Sequence, residues 1–219
     1  MGETIKLTAD DGFTLSAYQA KPPGRPKGCI IVIQEIFGVN AHIRRDVDKF
    51  AALGYMAVAP AVFDRIQTGV ELSYDQAGME KGRELVTKLG MDNALRDVRA
   101  TANYLLTFGP VGAVGYCWGG SVAWACATRL GIPAVGYYGG RTAQLMHERP
   151  QAPVMLHFGA KDAMIPLSLA ESMKAKHPTI TAHIYEADHG FNCDQRATYD
   201  ARAATIARRR TLAFFEAIL

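Results

Sequence analysis

Long apolar runs, a dominant charge and clustered cysteines are all missing from this chain of 219 residues. No stretch approaches the roughly 18 consecutive apolar residues that a spanning helix needs, so no membrane segment is expected. Met1 to Lys6 has no basic stretch leading into an apolar one, so no secretory leader is expected either. The net charge of +3 is too small to argue for nucleic acid, and Arg208-Arg209-Arg210 reads as a solvated helix face. The four cysteines (Cys29, Cys117, Cys126 and Cys193) form no CxxC pair and show no metal-like spacing. Cys29 and Cys126 read as buried apolar positions. His147, His157, His177 and His183 show no compact ligand spacing, so no metal or cofactor is expected. A reducing cytoplasm is the simplest home and would keep Cys117 a thiol. With 49% hydrophobic and 21% charged residues, and no repeat, low-complexity tract or linker, the chain reads as one globular domain over 1–219. It is expected to work as a monomer.

What is present is alternation. Thr4 to Ala9 and Phe13 to Gln19 alternate around Asp10-Asp11-Gly12 like a β-hairpin. Lys21 to Pro26 is a loop, because its prolines lack donors and its glycine breaks regularity. Short apolar runs then recur: Cys29 to Ile33, Tyr55 to Ala59, Val111 to Val114, Pro133 to Tyr138, Val154 to Phe158 and Thr181 to Tyr185. Between them lie helical segments at Ala41 to Leu53, Gln76 to Leu89, Asp92 to Leu106, Ser121 to Leu130 and Leu167 to Lys176. Arg196 to Leu219 reads as mostly helix, and Ala61 to Ser73 as a long loop. Buried strands spaced by helices predict an α/β fold whose mainly parallel sheet is covered on both faces.

The most informative stretch is Gly115-Tyr116-Cys117-Trp118-Gly119-Gly120. Gly-x-Cys-x-Gly between a buried strand and a helix is a nucleophile-elbow pattern with sulfur in place of a serine oxygen. So sharp a turn strains the nucleophile's backbone, and side chains two residues to either side would collide with the neighbouring strand and helix. The helix that follows aims its N–H groups and positive dipole end at the sulfur, which favours thiolate.

An elbow nucleophile predicts an acid and then a base, each on a loop after a later strand. Gly159-Ala160-Lys161-Asp162 and Glu186-Ala187-Asp188-His189-Gly190-Phe191 follow the strands at Val154 to Phe158 and Thr181 to Tyr185. His189 is then the base and Asp162 the group that orients it. Asp188 is the competing acid, but a residue adjacent to His189 rarely brings its carboxylate to that ring's Nδ1.

The order Cys117, Asp162, His189, with Gln34-Glu35-Ile36-Phe37-Gly38 and Tyr137-Tyr138-Gly139, resembles the dienelactone hydrolase family from about Asp10 to Phe215. The resemblance implies an α/β-hydrolase fold and hydrolysis of a small lactone or ester through a thioester, a dienelactone opened to maleylacetate being the archetype. It assigns Glu35 as partner of the resting thiol and the backbone N–H groups of Ile36 and Trp118 as oxyanion donors. Arg65 matches a family arginine that pairs with the substrate carboxylate. A second such arginine is replaced here by Cys193, with Arg196 three residues on. Tyr137 and Tyr138 read as core or rim packing. Two alternatives stand beside this reading: an esterase for small neutral aryl or alkyl esters, and a non-catalytic small-molecule-binding domain.

Overall fold

The computed structural model describes residues 2–219. The chain has an α/β fold of eight strands, mostly parallel and flanked by helices, and it divides into two compact units. The first runs through Ala113 and includes Leu219; the second is Val114–Ile218.

In the first unit, β1 (Glu3–Thr8) and β2 (Thr14–Ala20) form the expected hairpin, with Glu3 opposite Gln19 and Thr8 opposite Thr14. The polar positions of β1 alternate outward, which leaves one face for burial. β3 (Cys29–Ile33) and β4 (Met56–Pro60) are buried at every position and pair in parallel, as uninterrupted apolar runs predict. β2 joins β4 antiparallel, so the order is β1-β2-β4-β3. Helix α1 (Ala41–Ala52) starts where the Asn40 side chain accepts from the Ile43 N–H. Helix α2 (Gln76–Leu105) is two helices in continuous sequence, broken at Gly90, whose φ of 73° interrupts the ladder. The two expected segments are therefore present and abut. Within the expected loop after β4, Val62–Arg65 makes a 3-10 turn.

The second unit carries the rest of β5 (Val111–Tyr116), then β6 (Ala134–Tyr137), β7 (Val154–Gly159) and β8 (Thr181–Tyr185), in the order β5-β6-β7-β8. β6, β7 and β8 run parallel. Helix α3 (Trp118–Ala125) begins three residues earlier than expected and ends in a π-helical turn, Cys126–Leu130. Helix α4 (Leu167–Lys176) lies where its pattern placed it. Helix α5 (Ala201–Glu216) starts later than the expected Arg196, because Asp200 accepts from the Ala203 N–H and fixes the first turn there. Among the described residues no helix is long and apolar enough to cross a membrane.

Candidate active site

The second unit brings three of the expected residues together. Cys117 stands between β5 and α3 at φ 55° and ψ −119°, a conformation that a residue with a side chain adopts only under constraint. Its N–H donates to the Tyr137 carbonyl (3.0 Å), and its carbonyl accepts from the Gly120 N–H (2.9 Å). Two glycines of the elbow stretch, Gly115 and Gly120, are steric necessities. A Cβ on Gly115 would lie 1.9 Å from the Gly119 oxygen, and one on Gly120 would lie 2.5 Å from the Tyr137 oxygen.

His189 Nε2 lies 3.2 Å from Cys117 Sγ, and its Nδ1 lies 2.7 Å from Asp162 Oδ2. The other oxygen of Asp162 accepts from the N–H groups of Met164 (2.8 Å) and Ile165 (3.1 Å), so the carboxylate cannot swing. Backbone bonds from Ala160 to the Tyr185 carbonyl and from Lys161 to the Ala187 carbonyl lace the Asp162 turn to the segment leading into His189. Asp188 turns elsewhere: its Oδ1 accepts from the His189 backbone N–H at 2.6 Å. An acceptor-only carboxylate on Nδ1 fixes the ring so that Nε2 faces sulfur.

Burial alone would lower the His189 pKa, but hydrogen bonds to Asp162 and Cys117 outweigh it and push the value up to about 9. The imidazole therefore carries both protons at neutral pH. This raised value stabilises the fold fully below the ordinary 6.5, and the contribution is lost as pH rises through about 9. Sulfur, imidazole and carboxylate form a line of donors and acceptors, an arrangement for moving protons. His157 and His177 are likewise committed to hydrogen bonds, with Tyr185 and Thr211 and with the Met146 carbonyl.

Trp118 is the first residue of α3, where N–H groups have no acceptor within the helix. Glu35 and Ile36 belong to the first unit, just after β3; Glu35 is buried and Ile36 half-buried. Arg65 requires a correction. Its Nε and Nη2 donate to Asp97, and both Nη atoms donate to Asp11, at 2.7 to 3.1 Å. The guanidinium also stacks over Phe13 at 4.6 Å. A substrate carboxylate would have to displace a carboxylate already held by this planar fork, so Arg65 is a tie within its own unit and not an anion site.

Burial pushes Asp97 up to about 6 although Arg65 donates to it, and Arg65 holds Asp11 down to about 2. Arg65→Ala should therefore strand a carboxylate whose side chain has no exposed surface, lowering unfolding free energy by about 3–5 kcal/mol. A folded-state pKa above the unfolded one favours the fold while Asp97 is protonated and is lost as pH rises through about 6. The deficit of the variant should accordingly be smaller below about pH 5 than above about pH 7 in urea titrations. A variant as stable as the parent at both would remove this account of Arg65.

Tyr138, which the sequence offers only as core or rim packing, forms part of the aromatic setting of His189. Tyr138 is fully buried at φ 39°, and its ring lies 5.0 Å from that of His189 and 5.4 Å from that of Phe191. The signal in the sequence is the Tyr137-Tyr138-Gly139 motif, which closes β6 and leads out of it.

A strained cysteine after a strand, with a histidine and an aspartate on later loops of a mostly parallel sheet, defines an α/β hydrolase. The dienelactone hydrolase family model matches residues 15–219, and the chain belongs to that family. The carboxymethylenebutenolidase of Pseudomonas putida is 33% identical over 225 residues, covering 97% of this chain and 95% of the relative. Carboxymethylenebutenolidase 1 of Cupriavidus pinatubonensis is 28% identical with the same coverage. A crystal structure of a candidate dienelactone hydrolase from Klebsiella pneumoniae superposes with TM-score 0.86 at 30% identity, covering 98% of both chains. The dienelactone hydrolase-like promiscuous phosphotriesterase P91 shares the fold, with TM-score 0.76 at 18% identity and 98% coverage of both. The chain is a hydrolase enzyme, and small esters or lactones are consistent with its family.

Proposed function

We propose that this enzyme is a cysteine-dependent hydrolase that opens a small lactone of the dienelactone type through a thioester on Cys117. The observation that carries the reading is the unbroken line from Asp162 Oδ2 through His189 to Cys117 Sγ. The relatives named carboxymethylenebutenolidase support the choice of lactone.

In the first step the sulfur lone pair attacks the lactone carbonyl carbon. The developing oxyanion is assigned to the backbone N–H groups of Trp118 and Ile36. The C–O bond of the ring breaks, and the departing oxygen takes the Nε2 proton of His189. Forming the thioester removes the sulfur partner that helped raise the His189 pKa, so the imidazole becomes a readier base for water. Water then adds to the thioester as His189 takes its proton, the C–S bond breaks, and the imidazolium and sulfur anion are restored. Asp162 holds the ring throughout. Glu35 keeps, on the family resemblance alone, the role of partner to the Cys117 side chain in the resting enzyme.

The sign of the pH dependence tests the acylation step. With its pKa raised to about 9, His189 carries the proton in the reacting form at neutral pH. The single-turnover acylation rate, read as p-nitrophenolate release, should be flat through neutrality and fall as pH rises through about 9. A rate that climbs toward 9 would instead require a neutral imidazole as the starting form.

With Arg65 engaged by Asp11 and Asp97, the neutral-ester reading gains weight unless another cation meets the carboxylate. The candidate is Arg196: a Cβ on Gly190, next to His189, would lie 2.6 Å from its Nη1. If the substrate carboxylate binds there, Arg196→Ala should raise KM for a carboxylated lactone by roughly ten- to a hundredfold and leave p-nitrophenyl acetate nearly unchanged. Equal effects on both substrates would put the neutral ester first.

A further inference from the structure

Behind the triad, a row of polar side chains links β6, β7 and β8 to helix α5; β7 and β8 lead into Asp162 and His189, and β6 braces the turn that carries Cys117. Arg210 Nη1 donates to the Tyr185 hydroxyl at 3.1 Å, and its guanidinium also lies 5.5 Å from that ring's centre. The Tyr185 hydroxyl lies 2.8 Å from His157 Nδ1. His157 Nε2 lies 3.1 Å from Thr211 Oγ1, which lies 2.6 Å from the Tyr137 hydroxyl. His157 has no exposed surface, and Tyr137 and Thr211 have almost none.

Arg210 favours one direction along this chain, because a guanidinium only donates. With the Tyr185 oxygen accepting from it, the phenol proton is left to donate to Nδ1. His157 is then a neutral Nε2–H tautomer that donates to Thr211, and Thr211 donates to Tyr137. Burial, with His183 and Arg210 nearby, keeps the His157 pKa well below its ordinary value, which agrees with a neutral ring. Tyr185, His157 and Thr211 thus each have both a donor and an acceptor satisfied within the chain, which ends on the Tyr137 hydroxyl as an acceptor.

The backbones complete the connection. Tyr185 ends β8, four residues before His189, and His157 lies on β7, five residues before Asp162. Tyr137 ends β6, and its carbonyl holds the N–H of Cys117 in the elbow. The His157 carbonyl accepts from Tyr138, whose ring faces His189. We propose that the chain Arg210, Tyr185, His157, Thr211, Tyr137 sets the spacing of the three triad-bearing segments, with His157 as its central positioning residue. The inference rests on the triad reading given under Proposed function.

Positioning is tested by separating kcat from KM. Thr211→Val removes the acceptor of His157 and the donor to Tyr137 with little change in volume. It should lower kcat about ten- to a hundredfold, as a misplacement of about 1 Å does, and leave KM unchanged. Thr211→Ser, which keeps the hydroxyl, should restore kcat. Tyr185→Phe should act like Thr211→Val, and the double variant should lose no more than the worse single one, because one break already severs the chain. A folded Thr211→Val or Tyr185→Phe enzyme with the parent kcat, or a serine variant no better than valine, overturns the proposal. Failure of both Thr211→Val and Tyr185→Phe to fold overturns it too, by assigning the chain to stability. Cys117→Ala in the same assay keeps the two readings apart. If that variant turns over, the triad reading fails; if it is inactive while the chain variants match the parent, only positioning fails.

Discussion

Cys117→Ala is expected to lower kcat by roughly 10⁴-fold or more, the scale seen when the bond-forming member of a triad is removed. An alkylating reagent should inactivate the parent enzyme with one modified residue, and peptide mapping should place it at Cys117. Burial explains why the other thiols should stay silent. Cys29 is pushed up to about 11 and Cys126 to about 12 by desolvation, and Cys193 is buried. Cys117 alone among the four is partly exposed, and the His189 imidazole lies 3.2 Å from its sulfur. Loss of activity with modification mapped to Cys193 or Cys126 would overturn the assignment. Cys117→Ser should be severely impaired rather than equivalent, since an alcohol needs more help from the base than a thiol does. Glu35→Gln belongs in the same experiment: turnover should fall while the melting temperature holds, and unchanged kinetics would remove Glu35 from the mechanism.

The elbow and its partners were legible because each rule behind them is local. Gly115 and Gly120 are forced by backbone approaches of 1.9 and 2.5 Å, which a sequence records as glycine and nothing else can relieve. The strands β3, β5 and β7 read directly as apolar runs, because burial on both faces leaves almost no polar position, His157 on β7 being the exception. Arg65 shows where such rules stop. A loop arginine after a strand looks available, but Asp97 and Asp11 lie 32 and 54 residues away in sequence, and only the fold brings them to the guanidinium. The same holds for His157. Its partners come from β8 and α5, so nothing in the neighbourhood of Leu156 and Phe158 distinguishes a network histidine from a lone core one. The 3-10 segment Gly140–Leu145 also has no periodicity to announce it.

The choice between the two acids next to the base yields the second large effect. Asp162→Asn should cost roughly 10⁴-fold in kcat, whereas Asp188→Asn should keep most of the activity. The asymmetry follows from geometry. Asp162 Oδ2 receives the Nδ1 proton, and its other oxygen is held by two backbone N–H groups that an asparagine amide oxygen can still satisfy. The asparagine nitrogen would then face Nδ1, and because it only donates, the ring must present an unprotonated Nδ1 and put its remaining proton on Nε2, toward sulfur. The imidazolium loses its counter-charge as well, so the pKa that stands at about 9 in the parent should fall. The high-pH limb of the acylation rate should move down with it, which a merely structural defect would not produce. Asp188 reaches only the His189 backbone N–H at 2.6 Å, and an asparagine oxygen can accept the same bond. Equal losses in the two variants would show that both carboxylates act through the fold, and the reverse order would hand the orienting role to Asp188.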